Sequence, residues 1–355
     1  MLLLFGGNCM EAVSDRGRDN AFNLLRLAAA FWVFLSHERL MTGAAWAPNG
    51  ELGVFVFFSI SGFLIARSWD RRSSVLQYLQ NRCLRILPAL WVAVLVTTFV
   101  IGPFATHLTP GRYFAEPETW RYLLNAVFDL QLQLPGVFTS QSYVPVNMPL
   151  WTLMHEALFY VGLATLGLLL GPHLRWFLLA AWLLLLGMQA VHTGSEVAAD
   201  LAGYFLGGAL IWQFRNFLPF NPGLMVLALA ALAAQWLLGL DGMLWTLCLP
   251  YAAIWLGLRR TPAQLNHIKK NDYSYGFYIW GMPCQHSVVR FAGIASFWPH
   301  LALAFVATSL CAVASWFLIE RPMLNLKSSA SFRPDEPQDF GLLRPAVRDS
   351  EAVIP

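Results

Sequence analysis

Ten apolar stretches, separated by polar connections, divide this chain almost from end to end. They fall at about 22–41, 53–69, 86–101, 149–170, 174–191, 200–214, 223–239, 243–258, 273–290 and 299–319. Most approach the length of about 20 residues that an α-helix needs to cross a bilayer. Charged residues make up 12% of the chain, against roughly 25% in soluble domains. The sequence therefore predicts an all-α fold: a polytopic membrane bundle of about ten transmembrane helices.

The positive charges predict how this bundle is oriented. If the N-terminus is inside, 18 of the 23 Lys and Arg residues fall on the inner side and 4 on the outer side, with Arg26 at a boundary. Inner connections of membrane proteins are rich in Lys and Arg, so both termini are predicted to be cytoplasmic. We expect a cytoplasmic segment (1–20), a transmembrane domain (21–326) and a polar, disordered cytoplasmic tail (327–355).

Two ionisable residues share one face of the first apolar stretch. Eleven residues separate Arg26 from His37, which brings them within roughly 20° of each other and roughly 16 Å apart along a helix. Ionisable side chains inside a membrane span usually line a cavity and mark a functional path, and His suits proton transfer. The alternative is that Arg26 reaches one membrane surface and His37 lies near the lipid headgroups at the other.

A carboxylate in the fourth stretch is a candidate partner for this histidine. Glu156 lies about five residues inside a span that begins at the outer side, so its predicted depth is similar to that of His37. A His and a carboxylate at one level can form a hydrogen-bonded acid–base pair. A structural carboxylate bonded to Ser, Tyr or water is the alternative.

Two arginines precede the third stretch on one helix face. Arg82 and Arg85 are three residues apart, and their guanidinium groups suit phosphate oxygens. Pro88 is expected in the first turn of this span. Ordinary anchoring to anionic lipid is the alternative for the arginines, and it is preferred for the neighbouring Arg71 and Arg72.

Small residues in the second stretch predict a close approach of another backbone or a ligand. Ser61 and Gly62 are the candidates for close packing or an acyl channel. A serine nucleophile is less favoured, because no G-x-S-x-G pattern surrounds Ser61. The five Cys residues show neither CxxC nor His-linked spacing, so we expect no metal site and no disulfide.

Six motifs in order resemble the acyltransferase-3 family of integral-membrane acyltransferases, over most of the membrane region. They are Leu25-Arg26 with His37; Gly53-Val54, Phe57-Phe58 and Ser61-Gly62-Phe63-Leu64-Ile65; Arg82, Arg85, Ile86 and Pro88; Trp151-Thr152-Leu153 with Glu156; Asp272-Tyr273-Ser274-Tyr275; and Ile319-Glu320-Arg321-Pro322. Two positions depart from the family pattern: Phe55 stands where many members have Asp, and Gly281 where many have His.

The resemblance implies a bacterial inner-membrane enzyme. Its activity would be the transfer of an acyl group, commonly acetyl, from acyl-CoA on the cytoplasmic side to a sugar hydroxyl. Acceptors in the family are surface polysaccharides, lipopolysaccharide O-antigen and nodulation factors. His37 carries over as the catalytic residue and Arg82 with Arg85 as the CoA site, while Arg26 would guard the channel between them. Acetyl-CoA is the expected donor, with no metal and no nucleic-acid partner.

Two further alternatives stay open from the residues. The Gly-bearing stretches 53–65 and 203–208 are also compatible with a transporter or flippase for a lipid-linked or acylated intermediate. Within the enzyme interpretation, His37 acts either as a general base or as a covalent acyl carrier. Oligomeric state and the identity of the sugar stay open as well.

Overall fold

The computed structural model describes residues 20–72, 74–139, 144–191, 197–239 and 242–326. The predictions for the N-terminal segment up to residue 19 and for the tail at 327–355 lie outside these ranges. The described part of the chain is helical and contains no β-strand; an isolated bridge joins Thr106 to Val137. The predicted all-α class is thereby confirmed.

Ten long helices, labelled α1 to α10 in chain order, correspond to the ten apolar stretches. They are α1 Phe22–Thr42, α2 Glu51–Asp70, α3 Val75–Val96, α4 Leu150–Leu170, α5 Leu174–Val191, α6 Val197–Gln213, α7 Pro222–Leu238, α8 Met243–Gly257, α9 Ser274–Ser287 and α10 Phe297–Ser315.

Four helical stretches are long and apolar enough to cross a membrane. They are Glu51–Asp70, Val75–Ala105, Leu150–Val191 and Phe297–Asn325, of which the third joins α4 to α5. Shorter apolar helices, such as Pro222–Leu238, accompany them. Because lipid offers no hydrogen bonds to exposed backbone groups, helices of this kind suit a membrane bundle, as predicted.

Helix α3 begins well before its apolar stretch. It starts at Val75, where the Ser74 hydroxyl caps the helix by accepting a hydrogen bond from the Gln77 N–H at 3.1 Å. The polar residues of its first three turns are good helix formers, which a search for apolar runs does not register. Pro88 consequently lies inside the helix, and its predicted place in the first turn is wrong.

The connection between α3 and α4 forms short helical turns over the predicted outer end. They are Pro110–Ala115, Pro117–Arg121 and the 3-10 turn Tyr122–Val127. The last of these turns ends at Val127, because Phe128 adopts a left-handed conformation with φ of 66°. The Asn147 side-chain amide donates to the Ile279 carbonyl at 2.9 Å and attaches the connection to α9.

Helices α2 and α6 cross with their backbones in contact. A Cβ atom on Gly62 would lie 1.9 Å from the Phe205 carbonyl oxygen, and one on Gly208 would lie 1.9 Å from the Ser59 carbonyl oxygen. No side chain larger than hydrogen fits at either glycine. Helix α9 is buried on every side from Ser274 to His286 and packs against α1 and α10. The centre of the bundle therefore places α1, α2 and α9 side by side.

Candidate active site

A network of ion pairs lies at the predicted cytoplasmic end of the bundle. Asp272, just before α9, accepts hydrogen bonds from Arg26 Nη1 at 2.7 Å and from Arg85 Nη2 at 2.5 Å. The other side of Arg85 faces Glu320, with Nη1 to Oε2 at 3.3 Å. Ser315 Oγ donates to the second oxygen of Glu320 at 3.0 Å. The network joins four motifs that are far apart in the sequence.

The carboxylates neutralise two of the three arginines that were predicted to bind the donor. Burial alone would raise the pKa of Asp272, but Arg26, Arg85 and two hydrogen bonds from Ser274 lower the pKa below its ordinary value. Asp272 therefore stays ionised beside both guanidinium groups. Removing Arg85 would leave the buried Glu320 without a charged partner, whereas Asp272 would keep Arg26.

The charge of Arg82 has no such partner. Its guanidinium carbon lies 6.0 Å from the centre of the Tyr160 ring, and Nη2 makes a long contact of 3.5 Å with the Ser68 hydroxyl. The buried Nε of Arg82 has no hydrogen-bond partner in the described part of the chain, and no carboxylate there forms an ion pair with it. Arg82 is therefore the predicted donor-binding arginine whose charge is available to an anion.

Above the network lies a small space, the inner chamber, of about 30 Å³. Ser61 and Glu156 face it from α2 and α4. Glu156 accepts hydrogen bonds from the Ser61 hydroxyl at 3.2 Å and from the Tyr160 hydroxyl. The lining residues are Arg26, Val54, Phe57, Phe58, Ser61, Thr152, Leu153, Glu156, Tyr275 and Tyr278. Ser61, one of the two small residues singled out in the sequence, therefore lines a small space between helices, whereas Gly62 packs against α6.

His37 lies in a second and larger space, the outer cavity, of about 450 Å³. The imidazole is 8% exposed, and no hydrogen bond to it is found within the residues that the structure describes. Its ring nitrogens are free to engage a ligand. Val54 and Tyr278 line both the inner chamber and the outer cavity, so the two spaces adjoin.

The predicted hydrogen-bonded pair of His37 and Glu156 is not made among the described contacts. Glu156 shares the small inner chamber with Arg26, whereas His37 faces the outer cavity. Counting residues along α1 and α4 placed both side chains at similar depth, but the carboxylate turns toward Ser61 and Tyr160. Any influence of Glu156 on His37 therefore acts through the space between them.

Aromatic rings surround the two positions at which this chain departs from the family pattern. Phe55 lines the outer cavity and stacks on Tyr204 with ring centres 4.2 Å apart. Gly281 faces Phe34, whose Cδ2 would lie 3.3 Å from an added Cβ. Neither position offers an ionisable group, so proton transfer falls to other residues.

A buried polar cluster lies beside His37, and it was not predicted from the sequence. Glu38, on α1, accepts a hydrogen bond from Gln285 Nε2 at 2.6 Å, and its other carboxyl oxygen lies 2.7 Å from His300 Nδ1. His300 Nε2 donates to the Gln285 carbonyl at 3.0 Å. All three side chains are inaccessible to solvent. Two features of the sequence could have indicated this cluster: the adjacent His37 and Glu38 in the first apolar stretch, and His300 at the start of the last one.

Both nitrogens of His300 face acceptor atoms, which restricts where its protons lie. Either His300 is doubly protonated against an ionised Glu38, or Glu38 is protonated and donates to a singly protonated ring. The pair is neutral overall in both cases, so its burial is less costly than that of one charge. The cluster ties α1 to α9 and α10 one residue away from His37.

No group of three or more His, Cys, Asp or Glu residues in the described ranges is arranged to bind a metal ion.

Comparison with known proteins is consistent with this geometry. Residues 19–320 match the family described as "Acyltransferase domain". The chain is similar to the O-acetyl transferase of Shigella phage Sf6, with 26% identity over 88% of this chain and 98% of the relative. It is also similar to nodulation protein 10 of Rhizobium leguminosarum bv. viciae, with 25% identity over 88% and 95% of the two chains. The exopolysaccharide production protein ExoZ of Rhizobium meliloti (strain 1021) is 28% identical over 78% and 90%. No solved structure matches the chain.

Proposed function

Because this chain belongs to the acyltransferase-3 family of membrane acyltransferases, as its motifs predicted, we propose that it transfers an acetyl group from acetyl-CoA to a hydroxyl of a cell-surface glycan or a lipid-linked saccharide. The names of the three relatives, an O-acetyl transferase, a nodulation protein and an exopolysaccharide production protein, support a carbohydrate acceptor. The site of action would be the bacterial inner membrane, with residues 21–326 as the catalytic domain.

The donor would bind at the predicted cytoplasmic end. Arg82 presents an unpaired guanidinium group, which suits a phosphate of CoA. Arg85 and Arg26 contribute positive charge from within the network, where Asp272 fixes their positions. The acyl end of the donor would extend past Arg26 through the inner chamber toward His37.

His37 would act as the general base. The oxygen of the sugar hydroxyl attacks the thioester carbon, and its proton passes to a ring nitrogen of His37. The new C–O bond forms as the C–S bond breaks, and the departing thiolate takes the proton from His37. In the alternative course, the His37 nitrogen attacks the thioester carbon and the C–S bond breaks to release the CoA thiolate. The sugar hydroxyl then attacks the acyl-histidine, the C–N bond breaks, and the hydroxyl proton passes to the thiolate.

The observation that carries the proposal is the imidazole of His37, which faces the outer cavity without a hydrogen bond among the described residues, while that cavity adjoins the inner chamber. One space leads to the arginines and the other is large enough to accept a sugar ring. A histidine whose ring lines a cavity without a protein partner is placed to contact a ligand there, which favours a catalytic role.

The test is transfer of radiolabel from acetyl-CoA to saccharide by membranes that contain the protein. We expect His37→Ala to lower the rate by about 10² to 10⁴ at equal membrane levels, as is typical when a general base is removed. A labelled enzyme trapped without saccharide would indicate the acyl-histidine course. Undiminished acetylation by His37→Ala would exclude His37 from catalysis, and saccharide transport without label transfer would favour a carrier.

A further inference from the structure

An apolar groove lies between helices α5, α6, α7 and α8, and we propose that it binds one hydrocarbon chain of an anionic phospholipid of the inner leaflet. Its volume is about 510 Å³, and it shares no lining residue with the inner chamber or the outer cavity. Leu227 on α7 and Leu247 on α8 line the groove and are exposed, so it opens on the surface of the bundle. In a membrane, this surface faces lipid.

The lining of the groove suits hydrocarbon and offers no free polar side chain to a sugar or a nucleotide. Among the lining side chains, only Trp182, Cys248 and Tyr251 carry a nitrogen, oxygen or sulfur atom. The Trp182 indole N–H already donates to the Gly203 carbonyl at 3.0 Å. The Tyr251 hydroxyl donates to the Pro219 carbonyl at 2.9 Å. An ordered water needs about two to four polar partners, so an alkyl chain fits this space better than water does.

Two arginines lie at the predicted cytoplasmic end of the groove. Arg175 is in the first turn of α5, and its guanidinium carbon lies 5.2 Å from the centre of the Trp176 ring. That ring meets Phe214, which lines the groove, with centres 5.6 Å apart. Arg259 follows the end of α8, and its guanidinium carbon lies 3.6 Å from the Trp255 ring, one helical turn beyond the part of α8 that lines the groove.

The charges of these two arginines indicate an anionic headgroup. Both side chains are exposed, and neither forms an ion pair with a carboxylate in the part of the chain that the structure describes. Basic residues between helices on the cytoplasmic side bind the headgroups of anionic lipids. A lipid whose chain fills the groove would place its phosphate near Arg175 and Arg259.

The position of the charges also distinguishes a phospholipid from a lipid-linked saccharide. Under the proposed function, the sugar of such an acceptor enters the outer cavity, so its phosphate lies at the outer side of the membrane. The arginines of the groove lie at the opposite end of the bundle. The inner-leaflet phospholipid is therefore the occupant that the charges favour.

A bound chain would support the crossing of α2 and α6 from behind. Gly208 packs against the backbone of α2, whereas Gly207 and Leu210 of the same helix line the groove. An empty groove deprives these residues of dispersion contacts on one side, and an alkyl chain restores them.

The experiment measures lipid binding by native mass spectrometry of the detergent-solubilised protein, titrated with phosphatidylglycerol or with phosphatidylcholine of the same chains. We expect the wild type to retain one phosphatidylglycerol in preference to phosphatidylcholine. Ala231→Phe places a ring in the groove and should weaken phosphatidylglycerol binding at least about tenfold, because several methylenes lose their burial. Ala230→Phe is the matched control on the exposed face of α7 and should leave binding unchanged.

Exposed arginines provide a second set of variants that does not disturb the packing of the helices. Arg175→Gln and Arg259→Gln should each weaken phosphatidylglycerol binding about fivefold and leave phosphatidylcholine binding unchanged. Arg112→Gln removes an exposed charge on the predicted outer side and should change neither. These variants test the proposal even if Ala231→Phe lowers the amount of folded protein.

Four results would overturn the proposal, and none of them depends on the transferase reaction. Equal phosphatidylglycerol binding by Ala231→Phe and Ala230→Phe would mean that the chain does not lie in the groove. Equal binding of the two lipids by the wild type, or no effect of the Arg175 and Arg259 substitutions, would exclude recognition of the phosphate. A dimer that Ala231→Phe dissociates would assign the groove to a second copy of the chain. Displacement of phosphatidylglycerol by an equal concentration of a polyisoprenyl phosphate would assign it to the acceptor lipid.

Discussion

Arg82 and Arg85 are three residues apart in one helix, yet their charges have different surroundings. Arg85 lies between Asp272 and Glu320, whereas Arg82 has an aromatic ring and one long contact with a hydroxyl. A guanidinium group already paired with two carboxylates gains less from a phosphate than an unpaired one. Replacement of the two residues should therefore affect different properties of the protein.

Replacing Arg82 with Ala should raise the KM for acetyl-CoA about tenfold or more, because one charge-assisted contact is worth about 1.5–3 kcal/mol. Lys should restore donor binding only in part, since it lacks the planar fork. Arg85→Ala should instead lower the amount of folded protein, because Glu320 loses its partner and Asp272 loses one of its two. Donor titrations on equal amounts of inserted protein measure the first effect.

Arg72→Ala is the matched control for this comparison. It removes a positive charge from the connection just before α3, but the Arg72 guanidinium lies over the Trp69 ring at 3.3 Å. Its loss should leave the donor KM unchanged. If Arg82→Ala also keeps the wild-type KM, the arginines of this region serve only to orient and anchor the chain.

At the scale of helices, buried contacts fix α1 against its neighbours. The Glu38 carboxylate reaches both Gln285 on α9 and His300 on α10, so the outer end of α1 cannot rotate without breaking them. His37 is the next residue along the helix and has no side-chain hydrogen bond of its own in the described ranges. Its position therefore depends on the helix to which it is attached.

Glu38→Gln should destabilise the detergent-solubilised protein by about 3–5 kcal/mol, because it leaves His300 with an unmatched partner in a buried site. The measurement is the midpoint of thermal or chemical unfolding. Glu118→Gln makes the same chemical change on an exposed side chain and should alter stability by less than about 0.5 kcal/mol. Equal effects of the two substitutions would mean that the buried cluster does not stabilise α1.

The crossing of α2 and α6 depends on the small size of the glycines at the contact. Gly62→Ala places a methyl group against the Phe205 carbonyl and should cost about 1–3 kcal/mol or more, because the two backbones must separate. Gly162→Ala on α4 meets nothing within 4 Å and should be neutral or slightly stabilising, by up to about 1 kcal/mol. Melting temperatures of both variants test the crossing, and a stable Gly62→Ala protein would contradict it.

For the whole molecule, charge bias and helix number predict one orientation. The start of the first helix and the end of the last helix meet the same ion-pair network, since Arg26 lies in the first turns of α1 and Glu320 follows α10. With 18 of 23 Lys and Arg residues predicted on that side, we expect it to face the cytoplasm.

A fluorescent protein fused to the C-terminus should therefore fold and fluoresce, and alkaline phosphatase at the same place should be inactive. A fusion after Gly111, in the connection between α3 and α4, should show the reverse. The same pattern for both sites, or the opposite one, would be incompatible with cytoplasmic termini and would place the arginine network away from the CoA pool.

The sequence by itself determined the helical class, the approximate place of ten helices and the family, because these follow from local apolar length and ordered motifs. It also singled out His37 and the arginines, since ionisable residues stand out in apolar stretches. Local composition was less informative at α3, because the first eleven residues of this helix are largely polar and a search for apolar stretches did not include them.

Only the tertiary structure decided which of these residues meet. Asp272 and Glu320 lie 187 and 235 positions from Arg85, and nothing in the local pattern assigns them to it. Glu156 was expected beside His37 because depth can be counted along a helix, but the direction of a side chain depends on how helices rotate and pack. The two adjoining spaces, and the buried Glu38 and His300 pair, arise from that packing alone.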